Sequence, residues 1–141
     1  MTALAPIAVT ASTTLSRDVH AGTTVVVNAA AGATITLPAS TGKGDEYTVF
    51  VGTTITSNSL IIRVANATDI MQGVLGVATD IAGVTCPTTS TSDTITMNGS
   101  TTGGVKGSYV VLADVASGVW EVSGALVSTG TEATPFSAAV S

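Results

Sequence analysis

The residues of this chain best suited to chemistry lie in the segment STGKGDE, where Lys43 stands between two glycines. A glycine-rich loop with a lysine can cradle phosphate, but that motif needs Gly-x-x-x-x-Gly-Lys-Ser/Thr opening a helix. Here Gly44 follows Lys43, and a strand-like segment follows Asp45 and Glu46. The pattern therefore indicates an ordinary glycine loop, and no nucleotide cofactor is expected.

The chain has one histidine, His20, and one cysteine, Cys86. A lone histidine cannot form a multi-histidine metal site, and no Gly-x-Ser-x-Gly motif supplies a nucleophile for it. A single cysteine excludes an internal disulfide and a cysteine-based zinc site. The acidic residues are dispersed, so a pair of distant carboxylates is the one catalytic arrangement left open. We predict a surface histidine, no metal, no cofactor and no enzymatic activity.

The amino-acid composition indicates the type of secondary structure on which these candidate residues lie. Charged residues make up 9% of the 141 residues, while 45% are hydrophobic, mostly Ala and Val, and threonine is frequent. Thr and Val are branched at Cβ, which suits an extended, pleated backbone better than a helix. The length allows one domain with a real core. The composition therefore predicts an all-β fold.

Charge and hydropathy argue against two classes of partner. The net charge is −5, and the four basic residues are widely scattered, so no basic stripe is available to neutralise phosphates. The uninterrupted apolar runs are only a few residues long, residues 60–62 among them, and are far shorter than the roughly 20 residues that span a bilayer. The N-terminus lacks a basic leader followed by an apolar stretch. We expect no nucleic acid, no membrane partner and no secretion signal.

Alternating apolar and polar residues mark the candidate strands. Residues 25–37 resemble a hairpin around a small-residue turn, and with segments 46–51 and 60–64 they suggest a meander of about four strands. Segment 69–87 is ambiguous, because its apolar spacing fits a helix while Gly73, Gly76 and Gly83 weaken one. We interpret it as strand or irregular structure. Residues 109–127 predict a second hairpin, with Trp120 anchoring the core.

One short pattern occurs twice. Thr34–Leu37 aligns with Thr94–Met97, and the loops ASTGKG and GSTTGG that follow also align, each leading to a strand that begins with a tyrosine. The chain is therefore predicted to build two similar β-units. Two copies are too few for a solenoid or a propeller, so a small β-sandwich or β-barrel is the expected architecture.

The first residues differ in composition from the rest. Residues 1–16 contain mostly Ala, Thr and Ser with isolated apolar side chains, and this composition is poor in large groups to bury. We predict that residues 1–16 form a flexible N-terminal arm and that residues 17–141 form a single β domain.

The segments that carry the repeat also carry a family resemblance, which covers about residues 20–141. Its most specific pieces are Thr94–Gly104, Gly118–Trp120 and Gly130–Ser141, together with the segment ITLPASTGKGDEYTVFVG. In these the chain resembles small virion structural proteins of tailed bacteriophages, commonly taken to be head decoration, or cement, proteins. The resemblance implies a β-rich homotrimer made in the bacterial cytoplasm. It would sit on the capsid exterior and clamp neighbouring subunits of the major capsid protein.

That resemblance suggests a role for the arm. A capsid offers many identical sites, so a trimer with three modest contacts gains avidity without any tight pocket. We therefore expect Pro6, Ile7, Val9 and Leu15 to contribute to the capsid contact.

Two other classes of function stay open at this stage. Tail fibres and spikes also use Thr/Gly/Ala-rich β-units, so a receptor-binding module with Trp120 or a tyrosine stacked on sugar is the alternative. A polysaccharide-cleaving enzyme is the third class, and it would need two carboxylates facing each other across a groove.

Overall fold

Two mixed β-sheets packed against each other form the fold in a computed structural model that describes residues 4–140. The strands are β1 (Ile7–Val9), β2 (Thr13–Thr14), β3 (Thr24–Val27), β4 (Ala33–Thr36), β5 (Glu46–Val51), β6 (Leu60–Arg63), β7 (Ile70–Ala78), β8 (Gly83–Pro87), β9 (Thr94–Met97), β10 (Tyr109–Ala116), β11 (Val119–Val127) and β12 (Phe136–Ser137). One short helix, α1 (Arg17–His20), precedes β3. The all-β prediction is confirmed, and the architecture is a small β-sandwich.

The two sheets differ in size. Sheet A has seven strands in the order β1-β3-β5-β10-β11-β7-β8, and sheet B has five in the order β12-β9-β6-β4-β2. Strands β1 and β8 are therefore the open edges of sheet A, whereas β12 and β2 are those of sheet B. The loops that cross between the sheets lie at the ends of the strands.

The first six strands alternate between the sheets and form a coil. Val25 of β3 lies between Ile7 of β1 and Val49 of β5, with all three strands parallel, and β2, β4 and β6 stack in the same way in sheet B. The predicted hairpin at residues 25–37 and the four-strand meander are therefore wrong. Because β3 and β4 each have one apolar face, the turn at residues 28–32 places these faces opposite each other across the core.

The ambiguous segment 69–87 contains two antiparallel strands, β7 and β8. The glycines that argued against a helix allow close contact between strands. A Cβ atom on Gly73 would lie 1.9 Å from the carbonyl oxygen of Val122 on β11, and the φ of Gly73 is 149°. Only glycine fits this position without displacing a strand. The second predicted hairpin is confirmed as the antiparallel pair of β10 and β11.

The repeated pattern occupies related positions in the fold. Strands β4 and β9 flank β6 in sheet B, and the aligned residues Ile35 and Ile95 both pair with Ile62. Each strand is followed by a loop that crosses to sheet A, where β5 and β10 are antiparallel neighbours. The two leading tyrosines do not correspond, because Tyr47 is buried and Tyr109 is 42% exposed. The second copy has two more residues between Met97 and Tyr109 than the first has between Leu37 and Tyr47, so the similarity of the two copies ends before these strands.

The core lies between the sheets and is built from alternate residues of the strands. Leu60, Ile62 and Val64 point inward as predicted, whereas Arg63 is exposed. Trp120 is 1% exposed, and its ring meets the ring of Tyr47 edge-on at a centroid distance of 5.6 Å. Burial of each large aliphatic side chain contributes about 1.5–3 kcal/mol to stability. Trp120 anchors this core, as predicted from the sequence.

The described part of the N-terminal segment belongs to the sandwich. Strand β1 adds to sheet A, β2 adds to sheet B, and Leu15 is buried with 2% of its surface exposed. The backbone N–H of Leu15 also donates to the carbonyl oxygen of Thr36 at 2.8 Å. The prediction of an arm separate from the domain is therefore wrong for residues 4–16, and residues 1–3 lie outside the described residues. Each of these two short strands forms the edge of a sheet and pairs in parallel with its neighbour. This pairing orders the segment and buries Leu15, although the local composition contains few large apolar residues.

The position of Leu15 makes this correction testable. We expect Leu15→Ala to lower the free energy of unfolding by about 2–5 kcal/mol, because it leaves a cavity in the core. The matched control Leu4→Ala removes the same atoms from a side chain that is 65% exposed, and it should change stability by less than about 0.5 kcal/mol. Urea unfolding of both variants measures the difference. Equal free energies of unfolding for the two variants would contradict the burial of Leu15 and support a separate N-terminal arm.

Candidate functional site

The four residues predicted to contact a capsid differ in accessibility. Pro6 is exposed, Ile7 is half-buried and Leu15 is part of the core. Val9 is half-buried and packs against the core. Leu15 therefore cannot contact a partner, and its assignment as a contact residue is wrong. Pro6 is exposed and directly precedes the open edge strand β1.

The glycine loop that follows β4 encloses a carboxylate of its own chain. The hydroxyl of Ser40 donates to Oδ1 of Asp114 at 2.7 Å, the N–H of Thr41 donates to Oδ2 at 2.9 Å, and the N–H of Gly42 donates to Oδ1 at 2.7 Å. Successive backbone N–H groups of this kind form an anion-binding cradle. Asp114, on β10, fills the cradle, so the loop is tied to sheet A and these donors are occupied.

The same hydrogen bonds set the ionisation of Asp114. Burial alone would raise the pKa of this carboxyl group, but hydrogen bonds from Thr41, Ser40 and Gly42 favour the charged form and hold the pKa below its ordinary value. The buried charge is thus stabilised by directed donors instead of a cation. A second acid, Asp69, accepts the N–H of Ser40 at 2.8 Å. The first crossover loop is therefore held by two carboxylates.

The second copy of the loop is closed differently. Oδ1 of Asn98 accepts hydrogen bonds from the N–H groups of Ser100 and Thr102, at 2.8 and 3.1 Å. Asn98 precedes its own loop, whereas Asp114 reaches the first loop from a distant strand. Gly99, which follows Asn98, takes a positive φ of 82° where the chain bends into this loop. Similar loop sequences therefore use an uncharged local partner in one copy and a charged distant partner in the other.

The remaining candidates for chemistry do not assemble. His20 is buried, which corrects the predicted surface position, and its Nδ1 accepts the N–H of Ser16 at 2.9 Å at the start of α1. Arg17 pairs with Asp45 at 2.7 Å. Burial raises the pKa of the Cys86 thiol, and a hydrogen bond with Thr134 opposes this shift. Within residues 4–140, no group of three His, Cys, Asp or Glu side chains is placed to hold a metal ion.

The outer face of the seven-stranded sheet A is weakly charged. Its strands contain the charged residues Glu46, Asp114 and Glu121, and Asp114 points inward. Large apolar side chains stand exposed on this side, among them Tyr109 at 42% and Val115 at 49%. Val115 helps to line a shallow groove of about 480 Å³ between β7 and β11. An exposed sheet face with large apolar side chains beside a groove is a candidate interaction site.

The open edge β8 is the second candidate surface. Ile81, in the turn before β8, is 93% exposed, and Val84 on the strand is 45% exposed. Between Asp80 and Asp93 the chain has no charged residue. Natural edge strands are commonly protected by charges, prolines or bulges, and here Pro87 ends the strand without protecting its first residues. Sequence reasoning missed this surface, although the uncharged run was visible as a signal.

No helix in residues 4–140 is long and apolar enough to span a membrane. Comparison with known protein families, curated proteins and solved structures returned no match to this chain.

The Asp114 cradle leads to a pH-dependent prediction. A carboxyl whose pKa is lower in the folded than in the unfolded chain stabilises the fold above its ordinary pKa of about 3.9, and the stabilisation is lost as the pH falls. We expect Asp114→Asn to lower the free energy of unfolding by about 1–3 kcal/mol at neutral pH. The gap between wild type and variant should then narrow on acidification below about pH 4.

Urea unfolding over a series of pH values measures this gap. Asp80→Asn is the matched control, because Asp80 is exposed in the turn before β8 and should leave stability unchanged at every pH. A gap for Asp114→Asn that stays constant from neutral to acidic pH would contradict the assigned role of the charge.

Proposed function

We propose that this protein is a structural component of a tailed-bacteriophage virion, a decoration protein that binds the outer surface of the head. In this role it stabilises contacts between subunits of the major capsid protein. The observation that carries the proposal is the outer face of sheet A, which is open, weakly charged and apolar at Tyr109 and Val115. The family resemblance of residues 20–141 supplies the biological setting.

The placement of the polar groups supports a role based on shape. Asp114 is enclosed by its loop, and Asp45 is paired with Arg17, so these acids are engaged within the fold. A rigid sandwich with engaged acids and an open apolar face suits a protein that binds a surface. Enzymatic activity is not part of the proposal.

A homotrimer is the proposed assembly. In a cyclic trimer every copy uses two different surfaces, one toward each neighbour. Sheet A has two such surfaces at its opposite edges, β1 and β8. We propose that β8 of one copy lies against β1 of the next, which covers Val84 and the uncharged edge. This arrangement assigns Pro6 and Ile7 to the contact between copies instead of the capsid contact.

Trimerisation explains how a shallow surface can bind a capsid stably. Three outer faces presented together bind three identical capsid sites, and after the first contact the others form at high effective concentration. Each contact can then be weak, which suits the shallow groove on the outer face. The proposed binding therefore depends on the trimer and on the outer face together.

The capsid contact is tested by Val115→Lys. A lysine on the outer face should be unfavourable in an apolar contact and should lower occupancy on undecorated heads by roughly tenfold or more, since each 1.4 kcal/mol is a factor of ten. The variant should remain trimeric. Quantitative gel analysis of purified particles measures occupancy, and unchanged occupancy would contradict the assignment of this face.

The copy number of the protein in the same particles distinguishes a decoration protein from a fibre or spike protein. A copy number close to that of the major capsid protein supports decoration, whereas a copy number limited to a few tail positions supports the fibre or spike alternative.

The contact between copies is tested by Val84→Lys. Val84 and Val115 are similarly exposed at 45% and 49%, so the two lysine variants are a matched pair. We expect Val84→Lys to be a folded monomer at concentrations where wild type and Val115→Lys are trimers, because the charge has no partner at a covered edge. Light scattering after gel filtration gives the mass. A wild-type monomer, or a trimeric Val84→Lys, would refute the edge contact.

A further inference from the structure

The groove on the outer face of sheet A contains a carboxylate. Strand β11 lies between β10 and β7, and Glu121 on β11 pairs in register with Ala113 of β10 and with Gln72 of β7. Glu121 is exposed, and its side chain lines the shallow groove of about 480 Å³. Among the described residues that line this groove, Glu121 is the only charged one. The groove therefore carries a single negative charge.

The other side chains of the groove are of two kinds. Val115 of β10 and Val74 of β7 belong to the strands on either side of β11, and they are 49% and 43% exposed. Gln72 and Ser123 also line the groove and supply an amide oxygen and a hydroxyl oxygen. The groove thus combines two exposed apolar side chains with three side chains that can accept hydrogen bonds.

The carboxylate of Glu121 has no partner in the part of the chain that the structure describes. The ion pair formed among residues 4–140 joins Arg17 to Asp45, and no donor in this range bonds to the side chain of Glu121. Water solvates this exposed charge in the free protein. A partner that covers the groove removes this water, and a buried carboxylate without a cation is strongly unfavourable. The group that fills the groove must therefore be positively charged.

A lysine or arginine side chain has the chemistry that the groove requires. Such a side chain packs its aliphatic stem on apolar surface while its charged head contacts polar groups. Val74 and Val115 suit the stem, and Glu121 suits the head. An ammonium group has three N–H donors, and Glu121, Gln72 and Ser123 each offer an acceptor. An uncharged apolar side chain would leave the carboxylate without a partner.

We propose that the groove receives a lysine or arginine side chain of the major capsid protein, which forms an ion pair with Glu121. This inference rests on the proposed capsid contact and names the chemistry of the partner at the same face. The net charge of −5 favours such a partner, because a negatively charged protein is attracted to a basic surface before contact.

Two acids on the strands of sheet A provide a matched test. Glu46 of β5 and Glu121 of β11 are both exposed, and they pair with Ala113 from its two sides. The two acids are therefore two strands apart, about 10 Å at the usual spacing between strands. Glu46 does not line the groove. Reversal of either charge changes the net charge equally, so only a local ion pair distinguishes the two variants.

The experiment measures the apparent affinity of each purified protein for undecorated heads at about 0.15 M salt, where charges beyond about 8 Å are largely screened. We expect Glu121→Gln to weaken binding by at least about tenfold, the effect of losing one hydrogen bond between charged groups. Glu121→Lys should weaken binding by at least about a hundredfold, because it brings like charges together. Glu46→Lys should change the affinity by less than about threefold.

The salt dependence of binding separates the ion pair from an effect of shape. The affinity of the wild type should fall as the NaCl concentration rises, and that of Glu121→Gln should fall less steeply. Glutamine keeps the size of the side chain, so a merely structural role of residue 121 would leave the two salt dependences equal. Light scattering should give all variants the same mass as the wild type.

Three results would overturn the proposal. The first is an equal loss of affinity in Glu121→Lys and Glu46→Lys. The second is an equal salt dependence of the wild type and Glu121→Gln. The third is a changed mass of Glu121→Lys, which would mean that a neighbouring copy fills the groove. Failure of the proposed function is distinguishable from these results, because the wild type would then not bind heads or Val115→Lys would keep full occupancy.

Discussion

The packing of one apolar face of sheet A on one apolar face of sheet B is the constraint on which this structure depends. No disulfide is possible, because Cys86 is alone. The inward rows, such as Leu60 and Ile62 on β6, must therefore be covered by side chains from the opposite sheet. A slip of one residue in any strand would turn its apolar row toward water, so the register is strongly specified. Glycines such as Gly73 permit the close strand contacts that this register requires.

This constraint explains why the N-terminal segment belongs to the domain. In the coil of six alternating strands, β1 pairs in parallel with β3 and β2 pairs in parallel with β4, so both segments complete sheets that the later strands begin. Leu15 then enters the core between the sheets. A segment with few large side chains can be ordered in this way, because its neighbours supply both the hydrogen-bond partners and most of the apolar surface.

The crossover loops connect the core to the polar chemistry of the molecule. In the first loop the charged side chain of Asp114 organises the backbone, and the resulting arrangement leaves a cavity beside Tyr47 and Trp120. The second loop closes on Asn98 without a buried charge. The repeat thus provides two similar connections between the sheets, of which one is held by a buried charge and the other by a local amide.

The sequence by itself determined the class of fold, the inward row of β6, the second hairpin and the anchoring position of Trp120, because these follow from local alternation and side-chain size. It also indicated the repeat that places Ile35 and Ile95 beside Ile62. Only the tertiary structure decided which strands pair, since alternation does not distinguish a hairpin from two strands that face each other across a core. The buried position of His20, the contact of Asp114 with Gly42 and the cavity at Trp120 also depend on long-range contacts. A spacing of 72 residues between an acid and the loop that it holds leaves no local signal in the chain.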